Sequence, residues 1–181
     1  MSFIRDYPPL QPLLSAIDHI DVKVVDVATA PGDLCLREFI AGMIAYNPGW
    51  IRLLYHIRAG FVRLLGMRQE GIPQAPVYRA ADIPMTPGAS LSFFTVDQAD
   101  PGRHWIASAS ESHLTAYLGV VLESRGQTSR LHVVTLVKYT SWAGPVYFNV
   151  IRPFHHLVVR QMLRAGAQHL AQAPSTASAT T

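Results

Sequence analysis

His155 and His156 stand side by side in "GPVYFNVIRPFHHLVVRQMLRAG", residues 144–166, and imidazole is the side chain whose ordinary pKa lies nearest neutrality. Two kinds of chemistry are open to such a pair, metal ligation and proton transfer. Neighbouring residues on a helix diverge by ~100°, so the two rings cannot together grip one ion. No metal site is expected. With Phe154 taken as the inward reference, Tyr147, Ile151, Val158 and Ala165 fall on its side, and His156 points outward with Asn149, Arg152 and Arg160. His156 is therefore read as solvated. His155 lands on the flank beside Phe148, Val159 and Met162, where its ring can enter the rim of a cavity. It is either a boundary imidazole bonded to a backbone carbonyl or water, or a ligand contact.

A second candidate pair is Glu111 and His113, since a carboxylate beside an imidazole tunes proton transfer. The spacing i, i+2 puts both on one face only if an extended strand runs unbroken through Ser112. A solvated turn explains the pair more simply. His113 is expected on an outer face or at a strand end, because Leu114, Ala116, Leu118, Val120 and Leu122 form the apolar row of that segment. Further on, Leu131, Val133, Thr135, Val137 and Tyr139 share one face. Thr135 and Tyr139 are then hydroxyls in an apolar row, each needing a partner. A few polar anchors among hydrophobic walls is the usual make-up of a small-molecule site, although both hydroxyls can also be met by nearby backbone. In "HWIASASE", Trp105, Ala107 and Ala109 alternate with His104, Ile106 and Ser108, and the small neighbours leave room for the indole to wall a pocket. No nucleophile elbow, phosphate-binding loop, dinucleotide fingerprint or zinc-protease motif is present, and no cofactor is implied.

The elements that must hold these residues follow from periodicity. "HIDVKVVDV" (19–27) alternates as a half-buried strand. Leu36, Phe39, Ile40, Met43 and Ile44 recur at helical spacing behind Asp33 as N-cap. Asn47 and Pro48 announce a second helix that stops near Gly66, with arginines scattered around it as solvated charges. Residues 70–89 read as a long loop of the kind that often serves as a lid, with a short strand at "PVYRA". An antiparallel meander follows: "SLSFFTVDQ", "RHWIASASE", "HLTAYLGVVLES" and "SRLHVVTLVKYT", with turns at "ADPG" and "RGQT". The last helix opens at Gly144 and Pro145 and runs to about Gln172, and Pro153 must kink or split it.

Composition bounds the function classes. Hydrophobic residues make up 49% of the 181 and charged ones 15%, well under the roughly 25% of ordinary globular chains. An internal cavity or a membrane-facing patch would use the excess. The net charge of +3 is spread along the chain, which argues against nucleic acid as a partner. Cys35 is alone, read as a small buried hydrophobe, and suits a reducing cytoplasm. Asp6 and three early prolines argue against a signal peptide, and no uncharged apolar run approaches the roughly 20 residues of a transmembrane helix. A cytoplasmic location is expected. The chain divides into a proline-rich lead (1–18), a single domain (19–172) and a disordered tail (173–181).

The order strand, two helices, loop, antiparallel strands and long C-terminal helix resembles the helix-grip fold of the START and Bet v 1-like (SRPBCC-type) superfamily, an α+β architecture in which a curved antiparallel sheet wraps the last helix. The wording around "ESHL" and "VYFNVIRPFHHLVV" is similar to an uncharacterised bacterial family known as a domain of unknown function. His113, Leu114, Tyr147, Pro153, Phe154 and His155 carry the match, while Thr115 stands where Asp is usual and Pro145 where Arg is common. The resemblance implies binding of a hydrophobic or aromatic small molecule in an internal cavity. Its walls would be Trp105, Leu118, Val133, Val137, Phe154 and Val158, and its polar anchors Thr135, Tyr139, Tyr147 and His155. Two alternatives remain open. One is an enzyme, a cyclase, dehydratase or hydrolase of a hydrophobic metabolite, using His155 or the Glu111–His113 pair. The other is a membrane- or protein-interaction module built on the arginine-laced second helix, to be recognised by an exposed apolar patch.

Overall fold

The alternation of residues 19–27 produces an extended strand, β1 (His19–Val27), antiparallel to the last strand of the sheet. The computed structural model of the chain describes residues 2–28, 35–64 and 78–172. Before β1 come two single-turn helices, α1 (Ser2–Arg5) and α2 (Gln11–Leu14). After it come α3 (Leu36–Ala45) and α4 (Gly49–Leu64). Then β2 (Ser90–Leu91), β3 (Phe94–Asp100), β4 (His104–Ser110), β5 (Leu114–Arg125) and β6 (Thr128–Tyr139) follow, and α5 (Ala143–Gln172) closes the chain. The six strands form one antiparallel sheet in the order β1-β6-β5-β4-β3-β2. A curved sheet gripping a long terminal helix, with two shorter helices after the first strand, is the helix-grip arrangement expected.

Several local expectations need correction. The segment "SLSFFTVDQ" is two strands, because Ser92 turns the chain at φ 57° and pairs β2 with β3. No strand forms at Tyr78 and Arg79; the Asp82 carboxylate accepts a bond from the Arg79 N–H at 2.8 Å and closes a 3₁₀ turn over Ala80–Asp82. Asn47 does not cap α4, since its Oδ1 is buried without a partner among the described residues. Cys35 is exposed at the mouth of α3, where the extended backbone holds it outside the core. Asp33, Gly66, residues 70–77 of the loop and the tail at 173–181 lie outside the described residues. Pro153 does not split α5, which runs continuously from Ala143 to Gln172.

Two apolar layers result. On the inner face Phe39, Met43, Trp105, Val120, Leu131 and Leu163 pack between the sheet, α3 and α5. On the outer face Ile106, Val121, Val134 and Leu136 are covered by Ile4 and Leu10 of the proline-rich lead. The lead is thus packed against the sheet. Helix α3 crosses α5 through glycines: a Cβ on Gly42 would lie 2.3 Å from His169 Cβ, and one on Gly166 would lie 2.8 Å from the Phe39 carbonyl oxygen. This crossing anchors the C-terminal half of α5. At its N-terminal end Tyr147 and Phe148 pack on Leu114 and Val137, and a gap opens beneath the helix between the two contacts.

Candidate functional site

The gap under the N-terminal half of α5 is a cavity of about 230 Å³. Period-two alternation builds its floor: Leu114, Ala116 and Leu118 of β5 and Val133, Thr135 and Val137 of β6 all point inward. Helical spacing builds its roof from Tyr147, Phe148, Ile151, His155, Val158 and Val159. A second hollow of about 270 Å³ between α4 and α5 shares Arg58, Tyr147, Ile151, His155 and Val158 with the first, and so forms its mouth.

Polar chemistry gathers in two places. At the mouth, the Arg58 guanidinium donates to both the Glu111 carboxylate and the Tyr147 hydroxyl. Desolvation alone would lower the pKa of Arg58, but Tyr147 and Glu111 together outweigh it and the net shift is upward, so the guanidinium stays charged. From sequence alone Arg58 reads as a solvated charge. The signal that could have found it is its position four residues after Leu54 and seven after Ile51, on the stripe that meets α5.

His113 lies behind this pair, 1% exposed, with its ring edge-on to Tyr147 at 4.4 Å between centroids. It sits at a strand end, immediately before β5, but buried and not on an outer face. The turn between β4 and β5 is tucked under the start of α5, where the Thr140 N–H donates to the His113 carbonyl at 3.0 Å. Its Nε2 is 3.6 Å from Glu111, too long for a hydrogen bond, and neither ring nitrogen has a partner among the described residues. Desolvation holds its pKa below the ordinary value, so the ring is neutral at pH 7.

Deeper in, Thr135 is 5% exposed and its Oγ1 has no partner, and His155 Nε2 is likewise buried and unpartnered among the described residues. Burial pushes His155 down to about 4, against a weaker upward pull from Asp21. Its neighbour His156 is not simply solvated. Its Nδ1 lies 3.1 Å from the Asp21 carboxylate, which also takes the Lys23 ammonium at 2.6 and 2.7 Å. Burial would raise Asp21, but its bonds to Lys23 and His156 prevail and keep it ionised.

Of the ten expected wall and anchor residues, Leu118, Val133, Thr135, Val137, Tyr147, His155 and Val158 surround the cavity. Trp105 does not. It is fully buried at the opposite end of β4, with its indole N–H donating to the Pro84 carbonyl at 3.0 Å. Tyr139, the last residue of β6, lies beyond the cavity with its ring 6.2 Å from Phe148. Phe154 is half exposed and borders only the outer hollow, because the buried arc of α5 centres on Phe148 and Val159. Glu111 lines the mouth. Among the described residues no three His, Cys, Asp or Glu side chains gather as a metal site, and no helix is long and apolar enough to cross a membrane.

A family model described as "Protein of unknown function (DUF2867)" matches residues 13–162. The chain belongs to the DUF2867 family. The match spans the sheet, the cavity and α5 as far as Met162, so this DUF2867 chain carries its candidate site within the shared region. No curated protein sequence matches it. Among solved structures, it is similar to the Mll3558 protein of Rhizobium loti at 11% identity and a TM-score of 0.44, over 84% of this chain and 96% of that one. Truncated norcoclaurine synthase from Thalictrum flavum aligns at 11% identity and a TM-score of 0.43, over 86% and 95%. Ara h 8.0201 aligns at 10% identity and 0.38, over 86% and 99%.

Proposed function

We propose that this DUF2867 protein encloses one neutral, mainly apolar molecule between β5, β6 and α5. The observation that carries the reading is an apolar cavity with two buried polar atoms, Thr135 Oγ1 and His155 Nε2, that have no partner among the described residues. Buried polar groups are normally satisfied, and a hydroxyl or carbonyl on an occupant would satisfy these. An apolar cavity of about 150 Å³ admits benzene, so about 230 Å³ suits one or two fused rings. Neutrality follows from charge. Arg58 and Glu111 neutralise each other, and His155 is uncharged at pH 7, so among the described residues no unpaired ion awaits a carboxylate.

Native mass spectrometry of the gently purified full chain tests this, together with titration by 2-naphthol, naphthalene and 2-naphthoate. The expected order of affinity is naphthol first and naphthoate last. Failure of all three to bind, with no molecule released from the purified protein, would remove the proposal.

A second reading is favoured by one further observation: Arg58, Glu111 and Tyr147 converge in hydrogen-bond contact at the mouth, with His113 beside them. Such a group can move a proton on an enclosed metabolite, as a cyclase, dehydratase or hydrolase requires. Incubating the protein with the molecule it releases distinguishes the two, since an enzyme changes that molecule's structure and a carrier returns it intact.

A further inference from the structure

Helices α4 and α5 contain no aspartate or glutamate. Between them they carry six arginines, at 52, 58, 63, 152, 160 and 164, and every acidic residue of the chain lies elsewhere. An apolar stripe runs along the outward side of α5 over its first four turns. Val146, Val150 and Leu157 follow one another at spacings of four and seven residues and are between 45% and 49% exposed. Trp142, 76% exposed, precedes them just before the helix begins. Arg160 and Arg164 continue the same line for two more turns and are exposed. Across the hollow that forms the cavity mouth, α4 turns Leu53 and Ile57 to solvent, 59% and 58% exposed.

We infer that the α4–α5 face docks on an anionic lipid surface, with Trp142, Val146, Val150 and Leu157 entering the headgroup boundary and Arg160 and Arg164 pairing with lipid phosphates. Apolar and aromatic side chains beside arginines, with no acidic residue among them, are the composition of a helix lying in a membrane interface. Such an arrangement complements a negatively charged, partly apolar partner. The geometry places the mouth of the cavity against the bilayer, where an apolar molecule can pass without crossing water. This goes beyond enclosure and does not require the cavity to be filled.

Co-sedimentation of the full chain with vesicles tests it. The protein is expected to pellet with vesicles of equimolar phosphatidylcholine and phosphatidylglycerol and not with phosphatidylcholine alone, with binding weakened by added salt. Removing Arg160 or Arg164 should weaken binding about fivefold each. Leu157→Glu should weaken it by about tenfold or more. Val24→Glu, at a half-exposed position on β1, should leave binding unchanged. Should Leu157→Glu fail to fold, Trp142→Ser is the second apolar variant, its side chain being 76% exposed. Equal pelleting with both vesicle types would overturn the inference. So would a concentration-dependent dimer that Leu157→Glu dissociates, since a second copy would then cover this face.

Discussion

Replacing Thr135 by valine keeps the shape of the side chain and removes a buried hydroxyl that has no partner among the described residues. A vacant or irrelevant cavity gains from that exchange. The folded state should be stabilised by about 1–2 kcal/mol in urea unfolding. An occupied cavity loses its anchor, so 2-naphthol should bind Thr135→Val about fivefold more weakly. Stabilisation without any loss of binding would mean that the hydroxyl does not touch the occupant. His155 supports a second test. Its folded pKa of about 4 lies below the ordinary 6.5, so between those values the unfolded chain holds a proton that the folded chain does not. Stability should therefore rise with pH from about 4 to 6.5 and be undiminished above it, with His155 contributing at most about 3 kcal/mol. Its ring faces His19, Asp21 and Lys23 on β1 and His156 on α5, and Asp21 pulls in the opposite direction. Proton NMR should find the His155 ring titrating near pH 4, and His155→Gln should flatten the slope of stability against pH. A midpoint near 6.5 would contradict the burial. The placing of Thr135 and His155 was legible in the sequence because period two and ~100° per residue assign faces directly. Arg58 was not, because a cation reads as solvated unless its distant partners Glu111 and Tyr147 are known.

At the scale of elements, the entry of α5 depends on Gly144. A Cβ there would lie 2.5 Å from the His113 carbonyl oxygen and 3.1 Å from the Tyr139 ring, and the carbonyl belongs to backbone that cannot swing aside. Gly144→Ala should therefore destabilise the protein by about 1–3 kcal/mol and weaken naphthol binding, because α5 must lift away from Glu111 and His113. Gly60 supplies the control. It lies within α4 with nothing among the described residues within 4 Å of its virtual Cβ, so Gly60→Ala should stabilise by up to about 1 kcal/mol. Denaturation midpoints of the two variants moving the same way would undo this account of the α5 start. The existence and extent of α5 could be read from periodicity, whereas its orientation could not. Apolar residues surround most of its circumference: Phe148 and Val159 are buried, while Val150, Phe154 and Leu157 are about half exposed. Pattern alone picks no face from such a helix, and the inward mark Phe154 itself proves half exposed, although Tyr147 and Val158 on its side do line the cavity. Trp105 misled for a related reason. Alternation gave the correct side of β4, but only the Pro84 carbonyl decides which end of the core the indole fills.

The molecule as a whole is a sheet covered on both faces, and its outer cover comes from the N-terminal lead. Residues 2–14, with their prolines and short helices, carry no periodic signal, so the sequence alone sets residues 1–18 apart as a proline-rich lead. Yet Ile4 and Leu10 are 2% and 1% exposed against Val121, Val134 and Leu136. Polar and aromatic contacts fix the register: Tyr7 and His104 share a hydrogen bond of 3.0 Å, and Phe3 stacks on His132 at 4.9 Å between ring centroids. Burial lowers the pKa of both histidines, so both rings are neutral at pH 7 and compatible with an apolar cover. The outer faces of β4, β5 and β6 need that cover because isolated apolar sheet faces associate with one another. Leu10→Ala should therefore cost about 2–5 kcal/mol in urea unfolding, a core-sized loss from a residue outside every regular strand. Truncation before Ile17 should go further, uncovering Ile106, Val121, Val134 and Leu136 together and producing oligomers in size-exclusion chromatography with light scattering. The cavity lies on the opposite face of the sheet, so Leu10→Ala should bind 2-naphthol with wild-type affinity under conditions where it stays folded. A truncated chain that remained monomeric with an unchanged unfolding midpoint would show that the lead contributes nothing to the fold.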